Sequence, residues 1–185
     1  MLWRDHMQFT EKQSGVLKGV GFGLLMAIAI IVMGVWFNPF SFSDNLNEME
    51  RLSIALQCSL IPTFFLAISI GRLAKHRFFT PEDIDGGGLS HGSDEARVLQ
   101  SLLQNTLEQF ALAFVIYLSW SLMMPANWLS VVPLAAIAFA IGRVMFFVGY
   151  KHGAPSRAIG FTLAFYPSLM MMICIIGKFI SQHIS

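Results

Sequence analysis

Apolar positions in this chain run in long uncharged blocks, and the blocks set the expected elements. Residues 19–37, 52–71 and 158–177 contain no Asp, Glu, Lys or Arg. Each is close to the roughly 20 residues an α-helix needs to cross a hydrocarbon core. A further uncharged run, 109–142, is too long for one crossing, and Met-Met-Pro-Ala-Asn-Trp at 123–128 divides it in two. Five spanning helices are therefore expected. Ser93-Asp94-Glu95 has N-cap and first-turn chemistry, which predicts that the third helix starts there and projects two or three turns beyond the bilayer core. On that helix Arg97, Ser101, Gln104, Asn105 and Glu108 fall within about 100° of arc, opposite Leu102, Leu103, Leu107 and Phe110. Such a face must look into protein or a wet cleft.

The fourth helix repeats the pattern near its end, where Arg143, Phe146, Phe147 and Tyr150 share one face. An arginine two turns inside a spanning helix either snorkels to the boundary or pairs with an acid. By depth alone, the expected partner of Arg143 is Glu108. The bland alternative for Asn105, Glu108 and Arg143 is a polar network that locks helix to helix. For Tyr150 it is an interfacial aromatic belt, and for Arg157 a determinant of topology.

Composition agrees with an integral membrane protein: 55% of the 185 residues are hydrophobic and 12% charged, against about 25% charged in a soluble domain. The net charge of +1 conceals an asymmetry, because ten of the twelve Lys and Arg lie on alternate connections. Arg4, Lys12 and Lys18 precede the first span, Arg72, Lys75, Arg77 and Arg97 follow the second, and Arg143, Lys151 and Arg157 follow the fourth. Only Arg51 and Lys178 lie at the other end. The positive-inside rule places the N-terminus and both basic loops in the cytoplasm, and the C-terminus outside or in a lumen. The first span lacks a small-residue cleavage site and reads as a retained anchor. No metal site is expected, since Cys58 and Cys174 sit singly in mid-span without ligand spacing, and no nucleic-acid partner is expected of a membrane-embedded chain. The triple glycine at 86–88 reads as a linker, and His76 and His91 as solvated loop residues.

Taken in order, Arg-Leu-Ala-Lys-His-Arg-Phe-Phe-Thr-Pro-Glu-Asp (72–83), Asn-Thr-Leu-Glu (105–108), Gly-Arg-Val-Met-Phe-Phe-Val-Gly-Tyr (142–150), Ala-Pro-Ser-Arg (154–157) and Thr-Leu-Ala-Phe-Tyr-Pro (162–167) form a collinear set. The set resembles the MAPEG family, the membrane-associated proteins in eicosanoid and glutathione metabolism, and within it the microsomal glutathione transferase and prostaglandin E synthase branch. The resemblance covers about 51–180. It implies an all-α, left-handed four-helix membrane bundle over residues 51–185, with residues 1–50 contributing one additional transmembrane helix. It also implies a homotrimer that holds glutathione as co-substrate in a cytoplasm-facing cleft between subunits, and a lipid or lipophilic small molecule as the second partner.

Position by position, Arg157 matches the arginine that stabilises the glutathione thiolate. Asn105 and Glu108 match the amide and acid that hold the tripeptide, Arg72 a basic residue of the same cleft, and Asp83 an acid near it. Arg143 and Tyr150 complete the expected binding set. The chain departs from the family at Ser101, where an arginine is usual, and at Phe146, Phe147 and Phe161, where tyrosines often stand. Arg97, one turn before Ser101, is the candidate substitute. Two function classes follow: a glutathione-dependent transferase or peroxidase acting on a lipophilic electrophile, or a non-catalytic binding or scaffold protein that has lost full glutathione binding.

Overall fold

The computed structural model describes residues 9–184 and contains no strand among the described residues. Arg4, counted in the charge asymmetry, lies outside them. Five helices are each long and apolar enough to cross a membrane. They are α1 (Glu11–Val32, continued by a wider turn over Met33–Phe37), α2 (Glu48–Phe79), α3 (Asp94–Met123), α4 (Val131–Gly149) and α5 (Ala154–Ile184). The starts follow local chemistry. Thr10 and Asn47 cap α1 and α2 in reciprocal pairs with Gln13 and Glu50. Ser93 caps α3 by accepting from the Ala96 amide, at the start the sequence predicts. The break at Pro125 is also as expected: α3 stops at Met123 and a short turn, Ala126–Trp128, leads into α4.

Helices α2 to α5 form a four-helix bundle in which α2 packs on α3 and α4, and α5 packs on α4 and α3. Its centre is filled by Tyr117, Trp120, Leu129, Phe139 and Met171, all essentially buried. Lipid tails are as apolar as leucine, so helices in a bilayer associate through close packing more than through hydrophobic drive. The α4–α5 crossing shows this. A Cβ added at Gly142 would lie 2.7 Å from the Gly160 carbonyl oxygen and 2.8 Å from the Ala164 amide nitrogen, so the two backbones touch. That contact fixes the residues next to Gly142, including Arg143.

The additional helix uses the same device. Gly15, Gly19 and Gly23 form a stripe at four-residue spacing against Pro155, Ala158 and Thr162 of α5. A Cβ at Gly19 would lie 2.8 Å from the Ala158 Cβ, and the Thr162 hydroxyl donates to the Gly19 carbonyl at 2.9 Å. At its other end, left-handed Asn38 (φ 39°) accepts from the Ser130 hydroxyl at 2.5 Å and binds the Phe42 backbone. Thus α1 is tied to α5 along its length and to the α3–α4 turn at its end.

Both cations that break the charge asymmetry have a structural use. Arg51 and Lys178 donate to the carbonyls of Met124 and Met123, which are orphaned at the C-terminal end of α3. At the basic end, the Asp83 carboxylate accepts from the Ser93 amide (2.7 Å) and hydroxyl (2.6 Å) and meets His76 Nε2 at 2.8 Å. His76 is thus not the solvated loop residue expected; it ends α2 and clasps the loop that leads to α3, while His91 is exposed. The Ser93 hydroxyl and then its amide hold the Asp83 carboxyl below the usual carboxylate range, with His76 adding to them and burial opposing.

The glycine stripe is testable by a matched pair of substitutions. Gly23→Leu, whose Cβ would strike Thr162 and come within 3.0 Å of the Tyr166 ring, should lower stability by about 1–3 kcal/mol through overpacking. Gly21→Leu, which faces open space, should stay within about 0.5 kcal/mol of the parent. Thermal unfolding in detergent reads both.

Candidate functional site

Near the basic end, α3, α5 and the end of α4 diverge and leave a cleft of about 670 Å³, within the size range of small-molecule sites. One wall is the polar face of α3, with Gln104, Asn105 and Glu108. The opposite wall is aromatic and carries one cation: Phe146 and Tyr150 from α4 and the turn after it, and Arg157 and Phe161 from α5. Val16 and Val20 of α1 form the third side. Among the described residues that line it, Arg157 is the one cation and Glu108 the one acid.

Arg157 is positioned by its helix start and by an aromatic partner. Its guanidinium lies 4.4 Å from the Tyr150 ring centre, a cation–π contact that orients the group without consuming its N–H donors. Tyr150 is in turn held edge-on by Phe146 at 5.4 Å between ring centres. Phenylalanine at 146 therefore acts as packing support, and the hydroxyl it lacks is absent from this wall.

Arg143 is fully buried directly behind the α3 wall. Its Nη1 donates to Asn105 Oδ1 at 2.9 Å and to Thr106 Oγ1 at 3.5 Å, and its Nη2 donates to Gln109 Oε1 at 2.7 Å. Phe146 and Phe139 present their ring faces at 4.5 and 5.6 Å. The expected pairing with Glu108 does not occur. Glu108 is exposed and accepts from Gln104 Nε2 at 2.9 Å. The reason is rotational: Asn105 and Gln109 lie about 40° apart on the helix, whereas Glu108 is about 100° from Gln109. Matching depth was correct; the azimuth selects the amides.

Among the described residues, this arrangement leaves a buried guanidinium with no carboxylate beside it and with Nε unpartnered. It also settles the orientation of Asn105. Arginine can only donate, so the Asn105 oxygen must face Arg143 and its NH₂ is left to face the cleft, which Asn105 lines. The α3 wall therefore offers a donor at Asn105 and an acceptor at Glu108.

The remaining candidates separate. Arg72 does not line the cleft; it is exposed on α2, with its guanidinium 5.5 Å over Phe147. Arg97 does not substitute for the missing arginine at Ser101. It pairs with Asp94 and lines a neighbouring cavity with Arg77 and the 86–88 glycines, and the Ser101 hydroxyl turns back onto the Arg97 carbonyl at 2.9 Å. Thus Asn105, Glu108, Tyr150 and Arg157 converge, Arg143 stands behind them, and Arg72 lies elsewhere. Sequence reasoning missed Gln109 and Thr106, although Gln109 follows Asn105 by one helical turn, and it missed the valines of α1.

The network makes a paired prediction. Gln109→Leu removes a charge-assisted bond from a buried cation and should cost about 1.5–3 kcal/mol in unfolding free energy. Glu108→Gln should change stability by no more than about 0.5 kcal/mol, as expected for an exposed side chain. Denaturant or thermal unfolding of the two variants separates this arrangement from an Arg143–Glu108 ion pair.

Neither a curated protein nor a solved structure matches this chain. The MAPEG family model matches residues 52–177, which takes in nearly all of α2 to α5 and every residue of the cleft except the valines of α1. On that match, and on the helical membrane bundle that carries it, the chain belongs to the MAPEG family.

Proposed function

We propose that this protein is a glutathione-dependent membrane transferase or peroxidase that acts on a lipophilic electrophile. The observation that carries the reading is the pairing of opposite walls in one cleft: Arg157 on the aromatic side, and the Asn105 donor and Glu108 acceptor on the other. Glutathione bears two carboxylates, an amine and a thiol. A carboxylate fits the Asn105 amide, with the Arg143 charge behind it, and the amine fits Glu108. The thiol then belongs beside Arg157, where a guanidinium lowers its pKa and favours the thiolate. In a transfer the thiol proton leaves to water, the sulfur forms a bond to the electrophilic carbon, and the leaving group departs with its electron pair.

Among the described residues the cleft offers a single arginine for two carboxylates. Arg72, exposed on α2 and outside the cleft of its own chain, supports a homotrimer in which a neighbour supplies the second cation. In that assembly residues 51–185 are the MAPEG unit and residues 1–50 an addition to it. The N-terminus and the cleft face the cytoplasm and the C-terminus lies outside or in a lumen, a reading supported by the charge asymmetry. The second reading, a binding or scaffold protein without catalysis, is favoured by one observation: Ser101 is closed onto its own helix and Arg97 is paired elsewhere, so the usual charge at that turn has no replacement among the described residues.

Isothermal titration of glutathione into the detergent-solubilised protein separates the two. The enzyme reading expects saturable binding that is lost in Arg157→Ala, together with thiolate absorbance in the ultraviolet that disappears in the same variant. Absence of heat at millimolar tripeptide would leave the scaffold reading.

A further inference from the structure

Between the end of α2 and the start of α3 lies a cavity of about 760 Å³ that the proposed chemistry does not use. It meets the cleft only at Gln100 and Ser101, which line both. The glycine loop that the sequence reads as a linker forms one wall, with Gly86, Gly87 and Gly88. Two cations from different helices line it as well, Arg77 of α2 and Arg97 of α3.

Loop and arginine lie against each other. Gly86 is left-handed (φ 78°), and a Cβ there would lie 3.7 Å from the Arg77 Cζ; one at Gly87 would lie 4.0 Å from its Nη2. Arg77 donates to Gln100 Oε1 at 3.1 Å, a neutral acceptor, and forms no ion pair among the described residues. Arg97 is exposed and pairs with the exposed Asp94, which does not line the cavity. The acid that does line it, Asp83, is buried and committed, because its oxygens accept from the Ser93 amide and hydroxyl and meet His76.

Gly87, Gly88, His91 and Gly92 line the same space, and among the described residues their amides donate to no protein acceptor. Free amides of successive loop residues form anion-binding concavities. Two guanidinium groups together with these amides supply more donors than the two oxygens of a carboxylate can use. They match a phosphate monoester, which carries three strong acceptor oxygens and nearly two negative charges at neutral pH.

We propose that this cavity binds a phosphate monoester, held between Arg77 and Arg97 beside the 86–88 glycines. Phosphate and Asp94 compete for Arg97, so Asp94 limits the affinity. The same chemistry is presented by a soluble phosphate ester and by the head group of phosphatidic acid at the membrane surface. The site holds whether or not glutathione binds in the cleft.

The test uses the full chain in phosphatidylcholine nanodiscs, with one arm for each source. Glycerol 3-phosphate is titrated calorimetrically, and nanodiscs containing a minor fraction of phosphatidic acid are analysed by native mass spectrometry for retained lipid, against phosphatidylglycerol, a diester. Saturable binding in either arm, with the monoester preferred, is the expected result, and the arm that responds identifies the source. Arg77→Gln and Arg97→Gln should each weaken it roughly fivefold or more. Asp94→Asn, an exposed change, should strengthen it, and Lys151→Gln, an exposed loss of charge outside the cavity, should leave it unchanged. Absence of binding in both arms, equal retention of the diester, equal loss in Lys151→Gln, or no gain in Asp94→Asn would each overturn the proposal. Millimolar glutathione should not displace the phosphate; displacement would make the cavity part of the tripeptide cleft and overturn it too. Glutathione titration of the same preparation reports separately on the proposed enzyme, so either reading can fail alone.

Discussion

The site is organised around one buried cation that has no anionic partner among the described residues. Arg143 is inaccessible, and it is held by two amide oxygens, a hydroxyl and two aromatic faces. Burying a charge costs several kcal/mol unless it is paired and hydrogen-bonded. Neutral acceptors offset part of that cost and leave its field unneutralised. The field acts on the nearest water-reachable space, which lies on the far side of Asn105. The donor that Asn105 turns into the cleft and the positive potential behind it have the same origin.

Helix packing determines that this cation sits where it does. Glycine contacts bring α4 and α5 together at Gly142 and Gly160 and bring α1 onto α5 at Gly15, Gly19 and Gly23. The first places Arg143 behind α3, and the second closes the cleft with an apolar wall. At the opposite end, Arg51 and Lys178 cap the C-terminus of α3, which fixes the helix that carries the polar wall. The His76–Asp83–Ser93 clasp fixes its other end. The α3 face is thus restrained at both ends and backed in the middle.

Much of this was legible in the residues. The spans, the break at Pro125 and the Ser93 cap follow from charge-free runs and short-range chemistry, which the tertiary structure leaves intact. The convergence of Asn105, Glu108, Tyr150 and Arg157 follows from helical phase together with the motif set. The partner of Arg143 did not, because depth along a helix restricts a residue to a slice of the membrane and leaves its direction open; Glu108 and Gln109 share the slice and differ by about 100°. His76 was misread because its partners lie 7 and 17 residues away, across a turn. The role of α1 was hidden for another reason. A stripe of glycines announces a close contact without naming the surface it meets, and Val16 and Val20 are ordinary apolar residues until α5 is placed beside them.

The most direct measurement is made on Asn105→Asp, which gives Arg143 a carboxylate of nearly the same shape and removes the donor facing the cleft. The melting temperature of the protein alone and the binding of glutathione, the ligand proposed for the cleft, are to be measured together. A cation awaiting an anion predicts opposite signs: the variant melts higher than the parent and binds glutathione at least tenfold more weakly. A variant that melts no higher and binds as the parent does would contradict the account.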